Sequence, residues 1–285
     1  VRDTARQAWM LLEPIHAVTY FSPEPLAALR EAGYRGFWMG YFAGRAAPLG
    51  PASAELVHAL FYNFTPSHVG KALPDAWSFA PPAAALGARL DGSVAALRRL
   101  LGDADGIERA ADLALKAASH APAEGRALFA ANRSLAVPTD PLARLWHAAT
   151  LLREHRGDGH VAVLVAAGIS GREAHVLHAL TSGTPAEVYA VARGLGEAEW
   201  SALCEDLSLR GLVADGQVTE LGRDVKAVVE EQTDRLAATA YAGLTAAEMA
   251  ELLDLLRPLA RAVVAGGDLP AKSPMGLDLD EVLGE

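Results

Sequence analysis

The chain has 285 residues, 51% of them hydrophobic and 21% charged, which gives enough apolar content for a buried core and excludes a largely disordered chain. Its 25 basic and 35 acidic side chains leave a formal charge of -10, the wrong sign for a surface built around nucleic acid. Cys204 is the single cysteine, so a disulfide framework and a cysteine-based zinc site are excluded.

The first apolar run ends at Glu13, too soon for a signal-peptide core. The longest clean apolar stretch, 161–169, is far below the roughly 20 residues that span a bilayer. The expectation is a soluble cytoplasmic protein without a membrane partner.

Apolar residues at three- and four-residue spacing predict helices over 4–20, 25–46, 53–62, 66–73, 93–101 and 106–119. They resume over 141–155, 160–168, 171–181, 185–194, 197–210, 222–240 and 245–265. Ser53, Thr65-Pro66, Asp140-Pro141 and Thr184-Pro185 are helix-start signals, and Thr245 with Glu248 is a capping-box pattern. Between the helices, Asp215-Gly216 separates two short apolar runs, the signature of a tight hairpin.

The segment Leu135–Asp140 reads as a joint between two lobes, 1–135 and 136–266, with an extended tail over 267–285. Charge divides unevenly there, +1 before the joint and -11 after it. The halves also echo each other. Ala46-Ala-Pro-Leu-Gly50 and Leu56-Val-His-Ala-Leu60 align with Ala166-Ala-Gly-Ile-Ser170 and Val176-Leu-His-Ala-Leu180 at one shared offset. Thr65-Pro66 and Trp77 then match Thr184-Pro185 and Trp200 in the same order, which points to a tandem duplication.

Beyond Ser170 come three helices, Arg210-Gly-Leu-Val, the Asp215-Gly216 hairpin, then Thr219-Glu-Leu-Gly222 and a long helix. This order resembles the winged helix-turn-helix of MarR-type regulators over 141–264. Gly40-Tyr-Phe-Ala-Gly-Arg45, Phe61-Tyr-Asn-Phe64 and Leu152-Arg-Glu-His-Arg-Gly-Asp-Gly-His160 are similar to an actinobacterial helix-turn-helix family, a likeness that brings no activity with it. The resemblance implies an all-α fold with small β-wings, a tandem, pseudo-dimeric pair of MarR-like winged helix-turn-helix lobes. It also implies a small-molecule pocket between them.

The segment corresponding to the recognition helix, 196–210, carries Glu197, Glu199, Glu205 and Asp206 against Arg210 alone, and the wing has no Lys or Arg. Phosphate neutralisation supplies most protein–DNA affinity, so this helix argues against duplex DNA. The first lobe, with Arg89, Arg98 and Arg99, is the better candidate for it.

Several constellations can carry chemistry. Glu13, His16 and Tyr20 share a helical face on which a carboxylate can orient an imidazole beside a phenol; Pro14 either starts that helix or kinks it. Trp38, Tyr41, Phe42 and Arg45 form another face, flanked by Gly36, Gly40 and Gly44. That face suits either a tight helix crossing or an aromatic or anionic ligand. Asn63 and His68 sit in or beside an aromatic cluster. Arg153, His155, Asp158 and His160 belong to the densest polar run, which two glycines are expected to break into a solvated connection between helices. No metal motif, P-loop, dinucleotide fingerprint or nucleophile elbow appears, so neither metal nor cofactor is expected.

Three functions remain. The first is a small-molecule-binding protein, sensing or sequestering a metabolite, with Glu13, His16, Tyr20, Trp38, Tyr41, Arg45, Asn63, His68, Arg153, His155 and His160 as candidate ligand residues. The second is a cofactor-independent enzyme using His16, His160 or Asp158. The third is a MarR-like transcriptional regulator. A pseudo-dimer completes its own core, so a monomer or weak homodimer is expected.

Overall fold

The computed structural model describes residues 2–271, 276–277 and 279–283. In the first half are α1 (Arg2–Phe21), α2 (Pro23–Glu31), α3 (Gly36–Ala46), α4 (Ala54–Phe61), α5 (Pro66–Gly70), α6 (Ala76–Phe79), α7 (Pro82–Leu101), α8 (Ile107–His120) and α9 (Ala127–Arg133). The second half holds α10 (Pro141–Ala166), α11 (Gly171–Ser182), α12 (Ala186–Arg193), α13 (Glu197–Leu209), β1 (Val213–Ala214), β2 (Gln217–Val218), α14 (Glu220–Ala238), α15 (Ala246–Ala265) and α16 (Leu279–Leu283). The fold is mostly helical, with one two-stranded sheet among the described residues.

Local chemistry sets many boundaries. Ser53, Thr65 and Asp140 each accept a backbone N–H from the first turn of α4, α5 and α10. Ser170 with Glu173 and Thr245 with Glu248 form reciprocal capping boxes at α11 and α15. Asp215 and Gly216 both take positive φ, 49° and 72°, as a two-residue hairpin with the right twist requires, and pair Val213 with Val218.

Three expectations are corrected. The single helix over 25–46 is two, because the chain turns at Gly33 to lay α3 back on α2. The glycine face of α3 serves this crossing: a Cβ on Gly40 or Gly44 would stand 3.4 and 3.6 Å from Leu29. The polar run 153–160 is not a solvated connection. It lies inside the continuous helix α10, with Glu154, His155, Arg156, Asp158 and Gly159 buried. Packing overrides the glycine penalty of about 1 kcal/mol each, and Gly159 leaves room for the Arg126 guanidinium, which donates to the His155 carbonyl at 2.7 Å. Finally, no strand occurs among the described residues of the first half: only Ala80 and Pro81 separate α6 from α7, too few for a hairpin.

Apolar residues gather in three clusters. The largest joins α1, α7, α8, α10 and α15, taking residues from both sides of the 135–140 joint. A second fills α2 to α7. The third lies under α11 to α14 and the wing. Helix α1 is buried throughout 11–20 and continues through Pro14. The tail is not wholly extended, since Leu277 and Val282 are buried and α16 packs on α15; residues 272–275 and 278 lie outside the described ones.

The halves also meet through α4, α5, α11 and α12. The Tyr62 hydroxyl donates to the Ile169 carbonyl at 2.9 Å, and the Thr65 N–H to the Arg193 carbonyl at 3.3 Å. Gly171 is required there, because a Cβ would come within 2.4 Å of the Tyr62 carbonyl oxygen.

Candidate functional site

At this junction the two halves leave a cleft of about 230 Å³. The first half contributes Trp9, Glu13, Tyr41, Arg45, Phe61, Asn63 and Phe64, and the second Arg153, Arg156, Asp158, His160, His178, Arg193, Lys226, Glu230 and Thr233. A smaller chamber of about 110 Å³ continues from it past Asn63, His160, His178 and Lys226 to Leu164, Ile169, Leu177 and Val229.

Ion pairs build much of the wall. Arg45 grips Glu154 with two parallel bonds, Nε to Oε1 at 3.1 Å and Nη2 to Oε2 at 3.2 Å, while its guanidinium lies 4.1 Å over the Phe61 ring. Arg153 shares Glu154 at 2.9 Å and reaches Glu13 at 3.5 Å; the Trp9 indole also donates to Glu13 at 3.1 Å. Burial alone would raise the Glu154 carboxyl, but Arg153 and Arg45 outweigh it and hold the group well below the usual carboxylate range. Arg156 reaches Asp234 at 2.6 Å and Glu230 at 3.6 Å.

His160 Nδ1 lies 3.0 Å from the Thr233 hydroxyl, whose proton goes to the Val229 carbonyl at 2.8 Å. The hydroxyl therefore accepts from Nδ1–H, and Nε2 keeps its lone pair, with no protein partner among the described residues. Burial lowers the His160 pKa, so the neutral ring is favoured. On the same helix Asp158 accepts the Phe129 N–H at 2.9 Å, and burial pushes its carboxyl up to about 6.

The predicted residues divide. Glu13, Tyr41, Arg45, Asn63, Arg153, Asp158 and His160 meet at the cleft. His16 and Tyr20 sit behind its wall, around a void of about 20 Å³. The expected Glu13–His16 pair does not form, because Glu13 is taken by Trp9 and Arg153. His16 Nδ1 instead faces Thr150 at 3.0 Å and Nε2 faces the Tyr20 hydroxyl at 3.0 Å. Thr150 donates to the Trp146 carbonyl, so His16 carries its proton on Nδ1 and its Nε2 lone pair accepts from Tyr20. That lone pair is not free to act as a base. Trp38 and His68 pack together at 4.3 Å between ring centres, and His155 packs on Phe129; none of the three lines the cleft.

Sequence reasoning missed Arg193, His178 and Lys226, which reach the cleft from α12, α11 and α14. Arg156 lay within the polar run it singled out. No group of three or more His, Cys, Asp or Glu able to hold a metal occurs among the described residues. No helix among them is long and apolar enough to cross a membrane.

A helix-turn-helix family model matches residues 5–270, nearly the whole chain. The chain belongs to that helix-turn-helix family. No curated protein and no solved structure matches it. In this helix-turn-helix protein, the cleft takes residues from α1, α3, α4 and α9 on the first half and from α10, α11, α12 and α14 on the second.

Proposed function

We propose that this helix-turn-helix protein binds a small molecule in the cleft between its halves and serves to sense or sequester a metabolite. The observation that carries the reading is the cleft itself: a cavity walled by both halves, into which the Asn63 amide and His160 Nε2 bring polar groups that no described residue satisfies. The order α11, α12, α13, wing, α14 supports a MarR-like second lobe. Helices α4, α5 and α6, each begun near the matching residues, support its reading as one copy of a duplicated unit whose first copy lost the wing.

Duplex DNA is not the partner we propose. Arg210 is bound to Glu173 at 2.8 Å and Arg172 to Glu199, which leaves the α13 region acidic. In the first half Arg89 is buried against the Gly44 carbonyl and Asn132, and Arg99 is held by Glu24 and Asp268. An acid–base enzyme is the second reading, and it rests on Asp158 and His160 standing on one wall of the cleft.

Val161 also lines the cleft, and a thermal-shift screen of metabolites tests the first reading against Val161→Trp, whose indole takes up space there. Compounds that raise the melting temperature of the wild type and not of the variant are expected. A library that shifts neither protein, or both equally, overturns it. Recovery of a chemically altered compound would favour the enzyme.

A further inference from the structure

The cations of the cleft wall are unequally served. Arg45 and Arg153 divide Glu154 and Glu13 between them, and Arg156 and Arg6 divide Asp234 and Glu230. Arg193 and Lys226 make no ion pair within 4.0 Å among the described residues, and Glu230, one turn along α14 from Lys226, acts on it only at longer range. Arg193 Nε donates to His175 Nε2 at 3.1 Å and Nη1 to the Ala192 carbonyl at 2.9 Å, while Nη2 has no partner among those residues. Its guanidinium lies 4.5 Å over Phe64. Every acceptor it has is neutral, for the buried His175 imidazole is held unprotonated, first by burial and then by Arg193 itself. Burial, with Arg45 and Arg153 nearby, also lowers the pKa of Arg193, to about 10. Arg193 is partly exposed, a guanidinium at that value is still charged at neutral pH, and its Nη2 is left to pair with an anion entering the cleft.

The connected chamber is apolar on one side and polar on the other, where His160, His175 and Glu230 stand. Leu164, Ile169, Leu177 and Val229 give it an aliphatic lining, and Lys226 and His178 stand where it joins the main cleft.

We infer that the ligand is an amphipathic organic acid, its acid group paired with Arg193 and Lys226 and its aliphatic tail in the chamber lined by Leu164, Ile169, Leu177 and Val229. This inference rests on the reading of the cleft as a small-molecule site. The planar fork of Arg193 suits a carboxylate or a phosphate monoester equally, and the test separates them.

Calorimetry on the full chain with octanoate, octyl phosphate and neutral octanamide reads the acid preference directly. At least one of the two acids is expected to bind ten times more tightly than octanamide, and the tighter of them identifies the head group. Arg193→Gln should abolish that preference, so that the acids bind the variant no more tightly than octanamide does; Arg193→Lys, which keeps the charge, should retain part of it. Shortening octanoate to hexanoate should weaken binding about fourfold per methylene, the value of one buried CH₂. Equal affinity for acid and amide, with both lost in Val161→Trp, overturns the acid assignment and leaves the cleft reading standing. Affinity independent of chain length overturns the tail assignment. Failure of all three probes to bind, or binding that Val161→Trp does not disturb, overturns this inference, while the cleft reading stands or falls on the metabolite screen.

Discussion

Arg45 and Glu154, 109 residues apart, are joined by two parallel hydrogen bonds of 3.1 and 3.2 Å at the floor of the cleft. Their side chains are only 10% and 2% exposed, so the pair belongs to the interior and ties α3 to α10. Removing one partner strands a buried charge, which typically costs about 3–5 kcal/mol. Glu154→Gln is therefore expected to destabilise the chain by about 3 kcal/mol in urea unfolding. Replacing both partners, Glu154→Leu with Arg45→Met, should cost much less, because apolar groups can replace a buried pair at little cost. A single variant that unfolds like the wild type would show the pair to be energetically idle.

Acid should weaken the fold. Burial lowers the pKa of His147 to about 4 and of His155 to about 3, with Arg89 and Arg126 adding to the effect. Below about pH 6.5 the unfolded chain binds protons that the folded one refuses, so stability is fully present above that value and falls as pH drops towards 4. Each such histidine contributes a slope of about 1.4 kcal/mol per pH unit. Urea midpoints between pH 7 and 4.5 check this, and His155→Leu should give a shallower line.

Asp158 acts in the opposite sense. Its carboxyl is raised from 3.8 to about 6 in the fold, so between those values the native state holds the extra proton and stability falls as pH rises. Asp158→Asn preserves an acceptor for the Phe129 N–H and should remove this contribution. The expected outcome is a steeper net gain in stability from pH 4 to 6 than in the wild type.

Two glycines should respond in opposite directions. Gly171→Ala places a Cβ against the Tyr62 carbonyl and should cost about 1–3 kcal/mol, as overpacking usually does. Gly157→Ala, inside α10 with Glu154 Oε2 its nearest neighbour at 3.8 Å, should stabilise by about 0.5–1 kcal/mol. Thermal unfolding distinguishes them. Equal effects would mean that the close contact between the halves does not hold in solution.

How far the sequence could be read depended on the range of the interaction. Caps at Ser53, Thr65, Asp140 and Thr245, and the hairpin at Asp215-Gly216, rest on neighbours within a few residues and were legible. The glycines in α10 were misread because their penalty is local, while the packing that overrides it comes from α1, α8, α9 and α14. The run 153–160 stood out as dense polarity, yet its burial depended on partners such as Arg45 and Arg126, distant in sequence. Arg193, the last residue of α12, carries no local signal in the sequence. Only the fold brings Phe64 beneath it and leaves it without a carboxylate.

Native mass spectrometry of the freshly purified chain beside Val161→Trp tests the cleft most directly. The wild type should carry an added mass that is released on denaturation, and the variant should run at its bare polypeptide mass. A bare wild type, or the same added mass on both proteins, would contradict a ligand site between the halves.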